Sequence, residues 1–404
     1  MQEESQNQVI ISPLTDPTLQ KLGINKNKEW RQKLRNIRLQ DELEFPKMKN
    51  STILDVFDKN TQIDHLPVWM MRQAGRYLPE FKETRKFGTF FDLCEHPILA
   101  CEVTLQPLAR MPSIDASIIF SDILVIPQAM GMEVKMEEKK GPVFPEPLRE
   151  LEDIKRLNMN PDVEKSLGHV FDAIYLTRMC IDGNQTLYGF CGAPWTLFTY
   201  MTEGSGSKMF SEAKKWIYSR RKESLEILNA ITDISIEYLS GQIRAGAQIV
   251  QIFDSWAGEL GGQDYIDFAF NHSRRIALEL KKSHPEIPIT LFAKGQMGNL
   301  EVHFQEPSID CVGIDYSANL QEVKRLSSQY GKTIQGNLDP GVLLGSKDFI
   351  SEKVKIMIDT LGTQRYIVNL GHGLWPSHDP EHVKHFVEEV QRYSNKQIQS
   401  QKKE

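Results

Sequence analysis

Several features that assign a chain to a familiar class are absent from this sequence. Its five cysteines include no Cys-x-x-Cys pair, and an odd, unpatterned set favours reduced thiols in a reducing compartment. No stretch is long and apolar enough to span a bilayer, and no signal-peptide core is seen near the N-terminus. We therefore expect a cytoplasmic protein with no membrane association.

A strong excess of charge of one sign is also missing. The net charge is −6, so composition gives no support to nucleic-acid binding. A small acidic excess does not exclude an anionic substrate, because local arginines determine the potential inside a cleft. Hydrophobic residues make up 40% and charged residues 25% of the chain, which is typical of a soluble globule with a large core.

Two arginines lie four residues apart in a segment whose neighbouring residues are largely apolar. Residues 67–80 read Pro-Val-Trp-Met-Met-Arg-Gln-Ala-Gly-Arg-Tyr-Leu-Pro-Glu. A guanidinium is always charged and presents a planar fork of donors that fits a carboxylate or phosphate. Salt bridges from Arg72 and Arg76 to Glu80, Glu83 or other acids are one interpretation. The apolar neighbours favour the other, an anion-binding site.

A second stretch, residues 189–205, combines glycines with aromatic side chains. It reads Gly-Phe-Cys-Gly-Ala-Pro-Trp-Thr-Leu-Phe-Thr-Tyr-Met-Thr-Glu-Gly-Ser. Glycines allow the backbone to approach a ligand closely, and aromatics supply flat apolar area with a polar tip on Tyr200. Alone, the stretch would fit an ordinary strand-to-helix turn with core aromatics. Together with the two arginines, it indicates a pocket for a large, flat, anionic ligand.

The chain alternates short apolar runs with longer amphipathic stretches, which predicts an α/β fold with a parallel sheet. Seven runs are visible, at residues 116–120, 186–190, 248–253, 287–292, 311–314, 333–335 and 366–370. Helices are expected at residues 211–245, 265–283, 320–330, 351–361 and 380–394. An eighth run near residues 68–71 or elsewhere would complete a single (β/α)8 TIM barrel. No Gly-x-Gly-x-x-Gly follows a run, so a dinucleotide fold is not favoured.

The two ends of the chain depart from this pattern. Residues 1–50 are polar, with a basic stretch and several acids, and the acids argue against a targeting peptide. We expect a flexible or helical N-terminal extension over residues 1–50, the barrel domain over 51–395, and a flexible tail over 396–404.

Polar side chains follow the apolar runs, at positions where (β/α)8 barrels place catalytic groups. Asp122 is a lone carboxylate with apolar runs on both sides. A helix cap or a lysine partner would explain it as well as a catalytic role does. The other polar residues at such positions are Ser121, Asp254, Ser255, Lys294, Asp315, Tyr316, Asn337, Asp339, Asn369 and His372.

The arginine segment and residues 189–205 resemble the two signature segments of the uroporphyrinogen decarboxylase family. The resemblance continues in order through Ile-Ile-Phe-Ser-Asp-Ile-Leu at 118–124, Gln-Ile-Phe-Asp-Ser-Trp-Ala-Gly at 251–258, Gln-Gly-Asn-Leu-Asp-Pro at 335–340 and Asn-Leu-Gly-His-Gly at 369–373. It spans residues 50–395 and implies the same barrel. One departure is Trp256, where some family members carry His; both are flat rings with an N–H donor.

The resemblance implies a role for each candidate site residue. Asp122 would accept hydrogen bonds from the inward-turned pyrrole N–H groups and stabilise positive charge on a protonated pyrrole. Arg72 and Arg76 would bind the acetate and propionate groups, and Arg85 is either a third such residue or a solvated charge. Asp122, Arg72 and Arg76 are the implied catalytic residues. The further implied substrate contacts are Gln73, Ala74, Phe90 (where the local alignment is shifted by one residue), Ser121, Tyr200, Ser255 and His372.

The implied reaction converts the four acetate side chains of uroporphyrinogen III to methyl groups, giving coproporphyrinogen III and carbon dioxide without a cofactor. The resemblance also implies a homodimer. Two alternatives stay open: a zinc- or corrinoid-linked methyltransferase on the same barrel, and a non-catalytic tetrapyrrole-binding protein. No His-x-Cys occurs for the first. We interpret His378, His382 and His385 as surface residues and expect no metal site.

Overall fold

The computed structural model of the protein describes residues 29–40, 42–137 and 141–402. Its α-helices are α1 (Glu29–Arg38), α2 (Thr52–Asp55), α3 (Pro79–Thr84), α4 (Phe90–Glu95), α5 (Pro97–Arg110), α6 (Val125–Ala129), α7 (Val163–Ile181), α8 (Pro194–Glu203), α9 (Ser211–Ser219), α10 (Arg221–Arg244), α11 (Gly262–Tyr265), α12 (Asn271–Ser283), α13 (Leu300–Gln305), α14 (Leu320–Tyr330), α15 (Lys347–Leu361) and α16 (Pro380–Gln401). Short 3₁₀ helices lie at Arg85–Phe87, Leu151–Arg156, Ala257–Glu259, Met297–Asn299 and Pro340–Leu344, and a π-helical turn at Ile266–Phe270.

The described strands are β1 (Ala116–Ile118), β2 (Lys135–Glu137), β3 (Gly141–Val143), β4 (Thr186–Gly192), β5 (Ile249–Asp254), β6 (Ile289–Ala293), β7 (Cys311–Gly313), β8 (Thr333–Leu338) and β9 (Tyr366–Leu370). One sheet has the order β1-β4-β5-β6-β7-β8-β9, and β2 pairs with β3 in a separate antiparallel hairpin. The pairs from β4 to β8 are all parallel, with Tyr188 opposite Ile249, Val250 opposite Ile289, Thr290 opposite Cys311, and Cys311 opposite Thr333. Each of the predicted apolar runs overlaps one of these strands, so that prediction is confirmed.

Residues 67–69 occupy the eighth strand position. Val68 forms a parallel bridge with Val368 of β9, and the backbone on either side of Val68 bonds to Val368 at 3.2 and 2.8 Å. On its other side, the Val68 carbonyl accepts from the backbone N–H of Asp115 at 3.0 Å, directly before β1. The segment therefore links the strands at the two ends of the sheet order, as a (β/α)8 barrel requires. The prediction of an eighth run near residues 68–71 is confirmed.

The residue pattern accounts for these elements. Strands β4, β6, β7, β8 and β9 are buried along their whole length, which is typical of a parallel sheet covered on both faces. Helix α14 begins at Asn319, whose side chain accepts from two backbone N–H groups, and ends at Gly331 with a φ of +65°. Helix α15 begins at Ser346, whose hydroxyl accepts from the N–H of Phe349. Such caps satisfy the amides and carbonyls that a helix leaves unpaired at its ends.

The described residues fall into two compact units. The first takes in the described residues up to Phe120, Asp172–Leu187, and the described residues from Leu338 onward. The second comprises the described residues of Ser121–Phe171 and Tyr188–Asn337. The domain boundaries expected from the sequence stay a prediction.

Helix α1 packs within the first unit. Leu34 is fully buried, and the Trp30 ring lies 5.4 Å from the ring of His96. Arg38 donates from Nε to Asp172 Oδ1 at 2.7 Å, and both side chains are nearly buried, so each charge is met by its partner. Of the expected extension over residues 1–50, residues 1–28 and Asp41 lie outside the described residues. At the other end, α16 continues to Gln401, and Ile398 is buried.

A buried carboxylate ties three parts of the first unit together. Asp115, 1% exposed, directly precedes β1 and accepts from the backbone N–H of Val68 at 2.9 Å. It also accepts from Asn50 at 3.2 Å and from Gln391 of α16 at 3.4 Å, and its Oδ1 lies 3.0 Å from His65 Nε2. Burial disfavours the charged ring, but the hydrogen bond and the negative charge of Asp115 outweigh it and raise the pKa of His65.

We expect the free energy of unfolding to fall as the pH rises from about 6 to about 8. The pKa of His65 in the folded protein exceeds the value of 6.5 in an unfolded chain. The ion pair with Asp115 therefore stabilises fully below the unfolded pKa, and its contribution is lost as the pH rises through the folded one. His65→Gln should lower stability by about 1 kcal/mol at low pH and much less at high pH. Urea denaturation at both pH values measures this.

The matched control is His385→Gln. His385 is also half-buried, but its ring bonds to Ser351 and to the Lys347 carbonyl and not to a carboxylate. Equal pH dependence of stability in wild type and His65→Gln would contradict the role given to Asp115.

Candidate active site

The segment that carries Arg72 is fixed against the loop that carries His372, both in the first unit. The backbone N–H of Met71 donates to Asn369 Oδ1 at 3.0 Å, and the Met71 carbonyl accepts from Leu374 N at 2.9 Å. A Cβ on Gly373 would lie 2.4 Å from Arg72 Cδ, so only glycine leaves room for the arginine. Arg72 itself has a φ of +61°, a strained conformation that is concentrated at functional sites. The structure thus brings Arg72 and His372 together.

Gln73 holds the turn that follows. Its buried side chain accepts from Met70 N at 3.1 Å and donates to Ala116 O at 3.1 Å, and its carbonyl accepts from the Tyr77 hydroxyl at 2.8 Å. These bonds occupy the Gln73 amide. They fix the half-buried Ala74 on one side and the exposed Arg76 beyond it. Gln73 therefore positions the arginines, and Tyr77, which the sequence did not single out, supports it.

Glu80 and Glu83 pair with other residues and not with these two arginines. Glu80 pairs with Arg110 at 2.6 Å, and Glu83 pairs with Lys86. Arg76 is exposed and forms no hydrogen bond or ion pair with any described residue. An exposed guanidinium beside a fixed turn is available for a bidentate anion.

Phe90 lies in an aromatic cluster of the first unit. Its ring centroid is 5.7 Å from that of Phe120 and 5.5 Å from that of Phe91, both in edge-on contact, and Phe81 is 5.7 Å from Phe120. Such pairs stabilise beyond the area they bury. Phe120 directly precedes Ser121 and Asp122 in the chain. The Arg85 guanidinium donates to the Gly88 carbonyl in this region, so part of its charge is used locally.

Asp122 belongs to the second unit and is 5% exposed. Its neighbour Ile123 packs at the carboxyl end of β4, because a Cβ on Gly192 would lie 2.9 Å from Ile123 Cγ1 and 2.6 Å from Leu197 Cδ2. The Ser121 hydroxyl is buried and has no hydrogen-bond partner among the described residues. The segment 121–123 therefore lies beside the start of α8, the helix that carries Tyr200.

Thr196 of α8 connects that helix to the end of β5. Its hydroxyl donates to Asp254 Oδ1 at 2.6 Å and accepts from the backbone N–H of Trp256 at 3.2 Å. Trp195 adds a bond from its indole N–H to the Trp256 carbonyl at 3.0 Å. The ring of Tyr200 lies 6.0 Å from that of Trp256. These contacts bring Tyr200 and Ser255 together. No pattern in the sequence singles out Thr196.

The Trp256 side chain lies in an aromatic environment. Phe210, in the loop between α8 and α9, has its ring 5.0 Å from the Trp256 ring. A larger apolar ring fits this position, since it packs against two aromatic neighbours.

Asp254 is fully enclosed at this point of the second unit. Burial raises the pKa of its carboxyl to about 7, while the Thr196 hydrogen bond opposes the rise. Its Oδ2 has no hydrogen-bond partner among the described residues. Asp254 therefore depends on Thr196, and a perturbed carboxyl next to a candidate substrate contact is typical of a functional site.

No group of three or more His, Cys, Asp or Glu side chains in the described ranges is arranged to hold a metal ion. The interpretation of His378 as a surface residue is wrong. It is 3% exposed, its ring stacks on Trp375 at 5.2 Å, and its Nδ1 accepts from Trp375 N at 3.1 Å. Burial lowers the pKa of His378. The sequence could not show this, because His378 lies in the loop before α16, where no helix or strand periodicity predicts burial.

The alternating strands and helices, with polar groups after the strands, define an enzyme of the α/β-barrel class. A solved methyltransferase from Methanosarcina mazei has this fold, with a TM-score of 0.69 at 19% identity over 87% of this chain and 99% of that chain. The family model described as "Uroporphyrinogen decarboxylase (URO-D)" matches residues 48–393. The chain belongs to the uroporphyrinogen decarboxylase family.

Named relatives agree closely with this assignment. The uroporphyrinogen decarboxylase of Schizosaccharomyces pombe is 45% identical over 87% of this chain and 99% of its own length. That of Homo sapiens is 48% identical over 87% of this chain and 96% of its own length, and that of Danio rerio is 48% identical over 87% and 95%. The barrel prediction is therefore confirmed. None of the described helices has the length and apolar content that a membrane crossing needs.

Thr196→Val should separate α8 from the end of β5. The change keeps the side-chain volume but leaves the buried Asp254 carboxyl and the Trp256 N–H without their shared partner. We expect the free energy of unfolding to fall by about 1–3 kcal/mol and KM for the substrate to rise, because Tyr200 and Ser255 lose their alignment. Thr202→Val is the control, since the Thr202 hydroxyl bonds only to carbonyls of its own helix. Equal stability and KM in both variants would contradict the role of Thr196.

Proposed function

We infer that this protein decarboxylates uroporphyrinogen III, converting its four acetate side chains to methyl groups and giving coproporphyrinogen III with release of carbon dioxide. The observation that carries this inference is the family match over residues 48–393, with 45% identity to a relative that the chain covers over 99% of its length. The reaction is that of a carboxy-lyase in haem and porphyrin biosynthesis.

The substrate supplies the electron sink that a decarboxylation requires. Protonation of the pyrrole carbon beside an acetate gives an electron-poor iminium. The bond between the acetate methylene and its carboxylate then breaks, carbon dioxide leaves, and the electron pair returns to the ring. A proton added to the exocyclic carbon completes the methyl group, and loss of the proton first added to the ring carbon restores the aromatic pyrrole. No bound cofactor enters this sequence of steps, in contrast to pyridoxal or thiamine chemistry.

Asp122 is the residue we assign to the ring. An ionised carboxylate is an acceptor only and offers about four lone-pair sites, so one group meets several inward-turned pyrrole N–H groups. The same charge stabilises the iminium, since a preorganised negative group acts strongly in a site that excludes water. Its low exposure and its place beside α8 support this role.

Arg72 and Arg76 are the groups we assign to the substrate carboxylates. The fixed turn at Gln73, the unused charge of Arg76, and the close fit of Arg72 against Gly373 support this assignment. His372 adjoins Arg72 through the same loop. Tyr200 and Ser255 supply neutral donors for further carboxylates, and Phe90 supplies apolar area for the ring system. Ala74 and Ser121 complete the proposed contacts.

We further propose that the protein is a cytoplasmic homodimer. The five cysteines of the chain are all free thiols in the structure, which suits a reducing compartment. The alternatives of a tetrapyrrole carrier and a methyltransferase predict different chemistry. A carrier would bind the porphyrinogen and release no carbon dioxide. The Methanosarcina mazei neighbour shares the fold alone.

Purified protein incubated with uroporphyrinogen III and no added cofactor should yield coproporphyrinogen III, measured by chromatography of the oxidised products. Asp122→Asn keeps the side-chain shape and removes the charge. We expect it to lose on the order of 100-fold or more in kcat while keeping the wild-type melting temperature.

Asp153→Asn is a matched control, because Asp153 caps the 3₁₀ helix Leu151–Arg156 in the same unit. It should keep wild-type turnover even if its stability falls. Wild-type rates in Asp122→Asn would refute the assignment of this residue. Binding without carbon dioxide release by the wild-type protein would refute the function.

A further inference from the structure

A cleft in the second unit lies at the carboxyl ends of three neighbouring strands. It has a volume of about 230 Å³ and is lined by Ser255, Gly258, Glu259, Lys294, Gly295, Asp315, Tyr316 and Ser317. Ser255 follows β5, Lys294 follows β6, and Asp315 follows β7 by two residues. This is the edge at which α/β barrels bind their substrates.

Lys294 brings a positive charge to this cleft that no described residue neutralises. The residue is half-buried, and its side chain forms no hydrogen bond or ion pair with any part of the chain that the structure describes. Its backbone is fixed on both sides, because its N–H donates to Asp254 O at 3.1 Å and its carbonyl accepts from Gly258 N at 2.8 Å. A lysine on a rigid base, with no partner among the described residues, is available to bind an anion.

The two carboxylates of the cleft do not serve as that anion. Asp315 accepts from Gly295 N at 2.5 Å, and from the backbone N–H and hydroxyl of Ser317 at 2.7 and 2.5 Å. These hydrogen bonds engage both carboxylate oxygens of Asp315 with Gly295 and Ser317. Glu259 lines the cleft but forms no ion pair with Lys294.

The charge of the substrate gives Lys294 a function. Uroporphyrinogen carries one acetate and one propionate on each of its four pyrroles, so it is a highly charged anion. Arg72 and Arg76 neutralise only part of that charge. Each further carboxylate would lose its hydration on binding without a compensating partner.

We propose that Lys294 binds a carboxylate of the substrate in this cleft, beside Ser255, with the Tyr316 hydroxyl as a second donor. The proposal rests on the proposed function and extends its binding site. Tyr316 is 47% exposed and its hydroxyl is not bonded to any described residue. The ammonium supplies charge, while Ser255 and Tyr316 supply directed donors. Glu259 repels the same carboxylate and limits how tightly the product is held.

The test is Lys294→Gln with uroporphyrinogen III as the substrate. Loss of a charge-assisted bond made equally in the bound substrate and in the transition state raises KM and leaves kcat nearly unchanged. We expect KM to rise on the order of ten-fold, and its dependence on salt to weaken. Lys294→Arg should keep most of the affinity, and Glu259→Gln should lower KM.

Lys222→Gln is the control, because Lys222 is an exposed lysine of α10 in the same unit and forms no ion pair with a described residue. It should leave KM unchanged. Inhibition by coproporphyrinogen III, which has propionates only, identifies the group bound. If coproporphyrinogen III inhibits Lys294→Gln more weakly than wild type, Lys294 binds a propionate. If it inhibits both equally, Lys294 binds an acetate.

The experiment distinguishes failure of the Lys294 proposal from failure of the proposed function. An inactive wild-type protein would overturn the function itself. An active wild-type protein whose Lys294→Gln variant has the same KM and the same salt dependence would overturn only the role of Lys294. If Lys294→Gln melts at a lower temperature than wild type, Tyr316→Phe and Glu259→Gln decide: unchanged KM in both also overturns the proposal.

Discussion

A carboxylate enclosed by protein requires hydrogen-bond donors or positive charge beside it. Three buried carboxylates of this molecule show the consequences of that requirement. Asp115 has a structural role: its oxygens accept hydrogen bonds from Val68 at the eighth strand position, from Asn50 and from Gln391 of α16. Asp254 accepts a hydrogen bond from one hydroxyl, that of Thr196, and burial raises its pKa. Asp122 is also buried. We expect the pyrrole nitrogens of the substrate to be among its hydrogen-bond donors. The same residue type thus supports the fold in one place and the chemistry in another.

Each unit of the structure prepares its own share of the binding groups before substrate arrives. In the first, Gln73 and Gly373 set the turn and the space that Arg72 and Arg76 need. In the second, Thr196 joins α8 to β5, so that Tyr200 and Ser255 are held by one hydroxyl. Preorganisation of this kind is valuable for a flexible, multiply charged ligand, because the protein does not have to order its own side chains on binding.

Much of the fold was predictable because it depends on local pattern. The seven apolar runs and the eighth near residues 68–71 follow from alternation of strand and helix. The roles proposed for Asp122, Arg72 and Arg76 come from the family resemblance, because local pattern does not distinguish a catalytic carboxylate from a helix cap. The link from Thr196 to Asp254 was not predictable, since its partners are 58 residues apart and neither belongs to a recognisable pair. The docking of Trp30 on His96 likewise depends on a tertiary neighbour that no periodicity encodes.

The most direct test of the central claim is a crystal structure of the protein with coproporphyrinogen bound. The account predicts Asp122 oxygens within about 2.7–3.2 Å of the pyrrole nitrogens, with the guanidinium groups of Arg72 and Arg76 against carboxylates of the ring's side chains. A complex in which the macrocycle binds elsewhere, or in which the Asp122 carboxylate faces away from the nitrogens, would contradict it.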